Sequence, residues 1–524
     1  MVGLLQRTRA KNSFFFWPHL SCFSWSEKEE RKGTMKSRAM AAVDLGASSG
    51  RVLLVHFDGQ ELNLEEVHRF TNQPVRLNGH RFWNILSLWD ETLTGLRKAR
   101  LRAGTLDSVG VDTWGVDYGL VDASGFLLSQ PFQYRDSRTD GMMNQVFSRI
   151  SRNVLYQRTG IQMLPINTLF QLYAHEQMQP GALAYASRLL LIPDLLHCWL
   201  SGSLTSERTN ATTTQCWDPI RSIWATDLFD QLALPTTMLP TVVEPGTMLG
   251  PVVPEWRGDL GTAHVITPAT HDTASAIAAT PISSPGHWGY ISSGTWSLVG
   301  VELPHPILTT EALAANFTNE GGIFGTTRFL KNVMGLWLLQ ECERNWARTG
   351  HAIDYATLLA DVDAIPAFAA LIDPDDSRFL MPEDMPATIN IYLIEHGQSP
   401  LQTPAAFTRC IMESLVLRYR EVFHQIHILT GNVIERVHIL GGGARNARLN
   451  QYLADALGIP VVAGPYEATA LGNALMQLVG LGELHTLTEV RTIAQKAPTQ
   501  IFSPQSSRQA AWNEAAQHFG ALGR

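Results

Sequence analysis

Cysteine is scarce: Cys22, Cys198, Cys216, Cys342 and Cys410 are the only five in 524 residues. The number is odd and no C-x-x-C pair occurs. That argues against a disulfide framework, a cysteine-held zinc and an iron–sulfur cluster. Cys198 and Cys216 flank one loop region and are expected to stay reduced. Long apolar runs are missing too. No stretch approaches the roughly 20 residues that a membrane-spanning helix needs, so no membrane partner is expected. Charge is sparse, 17% Asp, Glu, Lys and Arg, against roughly 25% in typical chains. Basic excess is also missing. The formal net charge is -8, which speaks against a nucleic-acid partner drawn by overall charge. No short-period repeat is visible, so a solenoid is excluded. What remains is a cytoplasmic protein with 45% apolar residues and length for two to four domains. It is expected to be a monomer or weak dimer.

The charge is unevenly placed. Residues 1–38 carry eight Lys/Arg and three Glu, a net of +5, which leaves -13 on the other 486. The stretch GLLQRTRAKNSFFFWPHLSCFSW resembles a signal peptide only superficially. Pro18 and His19 break its apolar part, and no A-x-A cleavage site follows. The next stretch, SEKEERKGTMKSRAM, is a solvated charge run. Residues 1–38 therefore read as a disordered or mis-assigned extension, with translation expected to start at Met35 or Met40.

Order is expected from Ala41 onward. AAVDLGASSGRVLLVHFDGQELNLEEVHRF reads as strands joined by tight turns. A helix is expected over 85–103, with Leu86, Leu88, Trp89, Leu93 and Leu96 on one face. SVGVDTWGVDYGLVD reads as one buried strand through Val109, Val111 and Val116. Residues 141–245 read as helices and loops. A second strand–turn–strand is expected over 287–303, then helices near 332–347 and 403–430. The strand RVHIL leads into GGGARNARLNQYLADALG, followed by the strand IPVVAG and the helix EATALGNALMQLVG. Alternating strands and helices mean an α/β protein. AVDLGASSGRVLLV is echoed about 250 residues later by GYISSGTWSLVGV. One such hairpin per half suggests internal duplication, with domains expected over 39–279 and 280–480 and a helical tail over 481–524.

Several short motifs are suited to chemistry. In DLGASSGR, the turn Gly46–Gly50 lets backbone N–H groups and the Ser48 and Ser49 hydroxyls converge on an anion. Arg51 adds positive charge, and Asp44 is placed to hold a hydrated Mg²⁺. An ordinary hairpin turn fits the same residues. The turn is not a Walker A loop, which needs G-x-x-x-x-G-K-[ST]. The second turn, Ser292–Thr295, is weak alone and stronger as a partner to the first, since two such turns can grip a polyphosphate. GGGARN opens a helix after a strand, but lacks G-x-G-x-x-G and a following acidic residue for a ribose. It reads either as close approach to a nucleotide or as a helix-start turn. In PATHDTASAIAAT, Asp272 is either a helix N-cap or a catalytic carboxylate. Of 14 tryptophans, Trp83, Trp114, Trp296 and Trp337 lie near these motifs. Their rings can stack on a sugar or fill a core.

Taken in order, these strings resemble the FGGY carbohydrate kinases, a branch of the actin and hexokinase superfamily of ATPases. The resemblance is carried by AVDLGASSGR, GVDTWGVDYGLVD, YRDSRTDG, GIQMLPINTLFQL, NATTTQ, HDTASA, SSGTWSL, TNEGG, KNVMGLWLLQ, HILGGGARNARLNQ and AGPYEATALGN. Their shared order spans residues 41 to about 476. It implies two ribonuclease-H-like domains with a cleft between them. It implies ATP held by Ala47, Ser48, Ser49, Gly50 and Arg51 from the first half, with Thr295, Gln340 and Gly442 from the second. It implies a sugar near Trp114, Gly115, His271, Asp272, Thr273 and Asn332, with Asp272 as the base. HDTASA and KNVMGLWLLQ point to the branch that phosphorylates the 1-hydroxyl of L-rhamnulose, with ATP and Mg²⁺ as cofactors. The rivals are another ketose or polyol kinase of the family, an actin-like or chaperone-type ATPase module, and a reductase-activating ATPase. The last needs interface cysteines that the sequence does not offer.

Overall fold

The computed structural model describes residues 35–282, 287–351, 353 and 355–522. Two mixed sheets, one per half of the chain, dominate it. In the first, β1 (Arg38–Leu45), β2 (Ser49–Phe57) and β3 (Leu62–Thr71) run antiparallel. On the other side of β1 lie β4 (Ser108–Thr113), β5 (Met248–Pro251) and β6 (His264–Ile266), giving the order β5-β6-β4-β1-β2-β3. The β1–β4 and β4–β6 pairs are parallel. Such strands are covered on both faces, so β1 is buried from Met40 to Leu45 and β4 along its whole length.

The second sheet repeats the plan. Strands β7 (Trp288–Ser293), β8 (Trp296–Leu303), β9 (Thr318–Gly321) and β10 (Thr327–Met334) form its antiparallel side. Strands β11 (Arg436–Leu440) and β12 (Val461–Ala463) continue it in parallel, and β13 (Gln500–Phe502) closes the edge antiparallel. Its order is β9-β10-β8-β7-β11-β12-β13. Each half thus has an antiparallel side joined through its first strand to two parallel strands and an antiparallel edge. The shared plan is the duplication foreseen from the echoed hairpins, in ribonuclease-H-like form.

Six helices matter for the site. They are α1 (Ile85–Ala103), α2 (Asp272–Ala278), α3 (Trp337–Arg348), α4 (Pro404–Thr430), α5 (Ala468–Gly480) and α6 (Leu487–Ala494). Helix α5, from the second half, lies across α2 and against β1 and β4 of the first. Both helices are built of small residues there, so their backbones nearly touch. A Cβ on Gly472 would sit 1.7 Å from the Ser275 carbonyl oxygen. Beside this crossing runs a buried polar ladder. Ser108 donates to Gln477 Oε1 at 2.7 Å. Gln477 Nε2 donates to the Ala41 carbonyl at 3.0 Å and to Asn473 Oδ1 at 2.7 Å. Asn473 Nδ2 reaches Asp112 Oδ2 at 2.6 Å. At the far end of α2, Arg491 of α6 donates to the carbonyls of Ile277, Ala278 and Thr280 and pairs with Glu302 of β8 at 3.0 Å. It satisfies carbonyls that a helix end leaves bare.

Several expectations are corrected. Residues 1–34 of the expected extension lie outside the described residues. Its last part does not behave as an extension. Lys36 N donates to Glu483 at 3.0 Å, and Arg38 opens β1 and pairs with Asp107 and Glu483. The segment 108–122 is two strands, because Val116 adopts a positive φ of 68° between them. On α1 the buried stripe is Ile85, Leu88, Thr92, Leu96 and Ala99, at helical spacing. Leu86 falls off that stripe and is 57% exposed. The helix expected from 332 starts at Trp337, since Asn332–Met334 still pair in β10. The stretch after 480 is not purely helical, because β13 completes the second sheet. Among the described residues, no helix is long and apolar enough to cross a membrane, and Cys198, Cys216, Cys342 and Cys410 are free and buried.

The α2–α5 crossing gives the first test. In an open helix, Gly→Ala gains up to about 1 kcal/mol from propensity. At position 472 the new methyl meets backbone that cannot yield, and overpacking costs about 1–3 kcal/mol or more. Gly472→Ala is therefore expected to lower the urea midpoint. A raised midpoint would show that the crossing is loose.

Candidate active site

One cavity of about 370 Å³ opens between the two sheets. It is lined by Asp44, Ala47, Ser48, Ser49, Arg51, Trp114, Gly115, His271, Asp272, Thr273, Thr295, Asn332, Gln340 and Gly442. These are the residues singled out from the sequence, except Gly50. A Cβ at Gly50 would meet the Phe70 ring at 2.3 Å and Leu45 at 2.8 Å. Its missing side chain lets the turn pack on its own sheet.

The first turn is built by the β1–β2 hairpin. Gly46 N donates to Ser49 O at 2.8 Å. Asn72 of β3's end braces it, its side chain donating to Gly46 O at 2.9 Å and its N–H to Ser48 O at 3.0 Å. With these carbonyls tied back, Ala47, Ser48 and Ser49 face the cavity. Arg51 lines the cavity too. Its guanidinium is held between Asp44 Oδ2, at 2.5 Å, and Glu467. Burial opposes its charge, and the two carboxylates overcome that and hold its pKa above the ordinary guanidinium value. The cation is neutralised twice over, so it offers little free charge to an anion.

The second turn joins β7 to β8 and is braced by the start of α3. Gly294 O accepts from Leu336 N at 3.0 Å, and Thr295 O accepts from Gly335 and Trp337 N–H groups at 3.2 Å each. Thr295 donates to Gln340 at 3.4 Å, which brings these two expected residues together. The glycine run packs on this turn. A Cβ at Gly443 would fall 2.1 Å from Ser293 Oγ, and Gly441 has φ 77°. Gly442 alone of the three is both open and cavity-lining. The run thus serves tight packing and ligand approach at once.

On the opposite wall, Trp114 lies against Trp83 with ring centroids 4.2 Å apart. Both indoles donate to Asp117 Oδ2, Trp83 at 2.6 Å and Trp114 at 3.0 Å. Gln171 and the Tyr134 N–H also donate to Asp117. Burial pushes Asp117 up to about 6, against the pull of these donors. Asp272 is the first residue of α2 and His271 is its N-cap, so the N-cap reading of Asp272 is corrected. The Asp272 carboxylate accepts from Thr273 N at 2.6 Å and stands 3.5 Å from His271 Nε2. Burial raises its pKa, and Asp44 adds to this while His271 opposes it. Asn332 is fixed by Gln162, whose Oε1 accepts from its N–H at 2.9 Å and its side-chain amide at 3.1 Å.

Five contributors had no assigned role in the sequence: Asp112, Asp117, Gln162, Glu320 and Arg328. Each sits in a string quoted for the resemblance or in the strand just beyond it. The available signal was a polar residue inside an otherwise apolar strand or turn, which must find a partner when buried.

Mg²⁺ is tested by its donor set. Asp44 and Asp112 are neighbours across the parallel β1–β4 pair. Asp112 Oδ1 is buried with no hydrogen-bond partner. Burial, then Asp44, raises the Asp112 pKa well above the ordinary value, as expected of two carboxylates close together in a buried place. Among the described residues, no group of three or more His, Cys, Asp or Glu is set to enclose a metal. One or two carboxylates plus substrate phosphates and water is the usual Mg²⁺ arrangement, so these residues fit it.

Known proteins share this plan. Residues 39–278 and 289–481 match the N-terminal and C-terminal domain models of the FGGY family of carbohydrate kinases. A rhamnulokinase of Bacteroides thetaiotaomicron is 42% identical over 481 residues, covering 91% of this chain and 98% of its own. One from Pectobacterium carotovorum is 44% identical over 477 residues, covering 90% and 94%. Among solved structures, a xylulose kinase of Lactobacillus acidophilus superposes with TM-score 0.75 at 15% identity, covering 92% and 97%. A Plasmodium falciparum glycerol kinase with ADP gives 0.71 at 14%, covering 92% and 98%. The last two show the fold alone.

Asp117 gives a test of the aromatic wall. Asp117→Ala leaves three donors without an acceptor, two of them indoles, while Gln171 keeps the Ile166 carbonyl at 2.7 Å. Each buried unsatisfied group costs about 1–3 kcal/mol. A loss of at least about 3 kcal/mol in chemical denaturation is expected, with altered tryptophan fluorescence of the folded state. A loss under about 1 kcal/mol would mean the donors find other partners.

Proposed function

The chain belongs to the FGGY family of carbohydrate kinases, and on that premise we propose that it transfers the γ-phosphoryl group of ATP to the 1-hydroxyl of L-rhamnulose. The observation that carries this is the shared cavity: a base-competent carboxylate, Asp272, faces the same space as both small-residue turns. The rhamnulokinases matched at 42% and 44% identity supply the choice of sugar. Residues 39–279 form the sugar side, and residues 280–480 the nucleotide side. The setting is cytoplasmic, where thiols such as the four buried ones stay reduced.

Phosphoryl transfer asks for positioning and charge stabilisation rather than covalent chemistry. The turn at Ala47–Ser49 and the turn at Ser292–Thr295 grip the phosphates from opposite halves, with Gln340 and Gly442 along the nucleotide. Trp114, Gly115, His271, Thr273 and Asn332 hold the ketose. Asp272 accepts the 1-hydroxyl proton as that oxygen bonds to phosphorus. Its raised pKa makes it a stronger base than an ordinary carboxylate. Asp44, with Asp112 beside it, would hold Mg²⁺ through water, and the ion would supply neutralisation of phosphate charge. Cleft closure keeps out water, the competing nucleophile.

ATP consumption with L-rhamnulose, L-fuculose, D-xylulose and glycerol tests the substrate. The largest stimulation is expected with L-rhamnulose. ATP hydrolysis indifferent to all four would favour an actin-like ATPase module instead.

Asp272→Asn tests the base. A loss in kcat of about 10²–10⁴-fold, or about 2.7–5.5 kcal/mol, is expected. Stability should move the other way. A carboxyl whose pKa is raised by folding binds its proton more tightly in the native state, so ionising it costs stability as pH rises through that pKa. Neutral Asn escapes this cost, and its Tm at pH 7 should equal or exceed the parent's. For the parent, kcat/KM should fall as acid protonates Asp272, at a pH above the ordinary carboxylate range. A near-normal kcat in Asp272→Asn removes Asp272 from this role.

A further inference from the structure

The wall behind His271 and Asn332 carries an ion pair that no step above uses. Glu320 of β9 and Arg328 of β10 come from the second half, whereas His271 comes from the first. Glu320 Oε2 lies 3.1 Å from Arg328 Nη2 and 3.3 Å from His271 Nδ1. Arg328 Nη2 also stands 3.1 Å from His271 Nδ1. The Glu320 carboxylate further engages the Asn332 side chain, and burial is outweighed by Arg328, His271 and Asn332 together, so its pKa lies below the ordinary value. Glu320 is 5% exposed and Arg328 is fully buried. Glu320 nevertheless lines the cavity, and its Oε2 has no well-aligned donor among the described residues.

A buried ion pair is a poor source of stability, since desolvation offsets its attraction. A pair placed only for stability would also be closed on itself. This one touches two residues of the sugar wall, one from each half, and its Glu320 itself lines the cavity. We propose that Glu320 is a sugar-recognition residue, accepting a ketose hydroxyl while it orients His271 and Asn332. Arg328 keeps Glu320 ionised and in place. The wall that reads the sugar is then complete only when both halves meet, so alignment of the acceptor hydroxyl depends on closure. A site built around hydroxyl donors rejects ligands lacking them far more strongly than an apolar site does.

This rests on the kinase reading above, and the test separates the two. The parent, Glu320→Gln and Arg328→Lys are compared for ketose KM, ATP KM, kcat and Tm. In Glu320→Gln the ketose KM is expected to rise at least about tenfold, with ATP KM within about twofold. Arg328→Lys carries the same expectation and serves where Glu320→Gln does not fold. Ketose and ATP KM moving together with a drop in Tm would mean a purely structural pair and overturn the assignment. So would unchanged kinetics in both variants. A parent enzyme that no ketose stimulates fails the kinase reading itself, and the Glu320 assignment falls with it.

Discussion

Helix α5 crosses α2 so closely that Gly472 has no room for a side chain against the Ser275 backbone. That contact fixes the distance between the halves and hence the width of the cavity. It also explains why a helix with Asp272 at its first position consists of DTASAIA. Larger side chains would push α5 away and open the site. The ladder from Ser108 through Gln477 and Asn473 to Asp112 runs beside it and makes the register specific, since a slip of one residue would strand several buried polar groups. Apolar contact alone holds surfaces together; the ladder decides which surfaces.

The cavity is short of positive charge. Asp44, Asp272 and Glu320 line it, and Arg51 is the one Arg or Lys among its lining residues. Arg51 is already shared between Asp44 and Glu467. A nucleotide entering this space meets backbone N–H dipoles and serine hydroxyls rather than free cations. That places the weight of charge compensation on the turns and on a metal ion. The raised pKa of Asp272 has the same origin, because carboxylates crowd a poorly solvated space.

The architecture was legible because it repeats. Two hairpins with small-residue turns, the strand before GGGARN and the small-residue helix after HDT all stand where their patterns put them. What the sequence hid was local and had definite causes. Val116 breaks an apparently continuous strand by a left-handed backbone that no β-branched residue advertises. Gly50 looked like part of an anion turn, yet its glycine answers to Phe70, a partner 20 residues away that spacing cannot reveal. Arg51 has a second carboxylate partner, Glu467, that lies 416 positions further on, beyond the reach of any local motif. Asp272 looked like a cap, and only the backbone assigns that post to His271. The Asp117 hub was invisible for a similar reason: its four donors come from separate segments.

Arg491 carries one more consequence. It closes the C-terminal end of α2 through three carbonyls and ties that end to Glu302. Glu483 likewise anchors Lys36 and Arg38 at the head of β1. The first strand and the helix of Asp272 are thus both completed by residues made near the end of synthesis. At about 5–20 residues per second, a ribosome needs about 25–100 s to reach Arg491. A nascent chain passes roughly two-fifths of that time with its first half made and the C-terminal end of α2 not yet tied down, so the helix of Asp272 reaches its final setting only when Arg491 has been added.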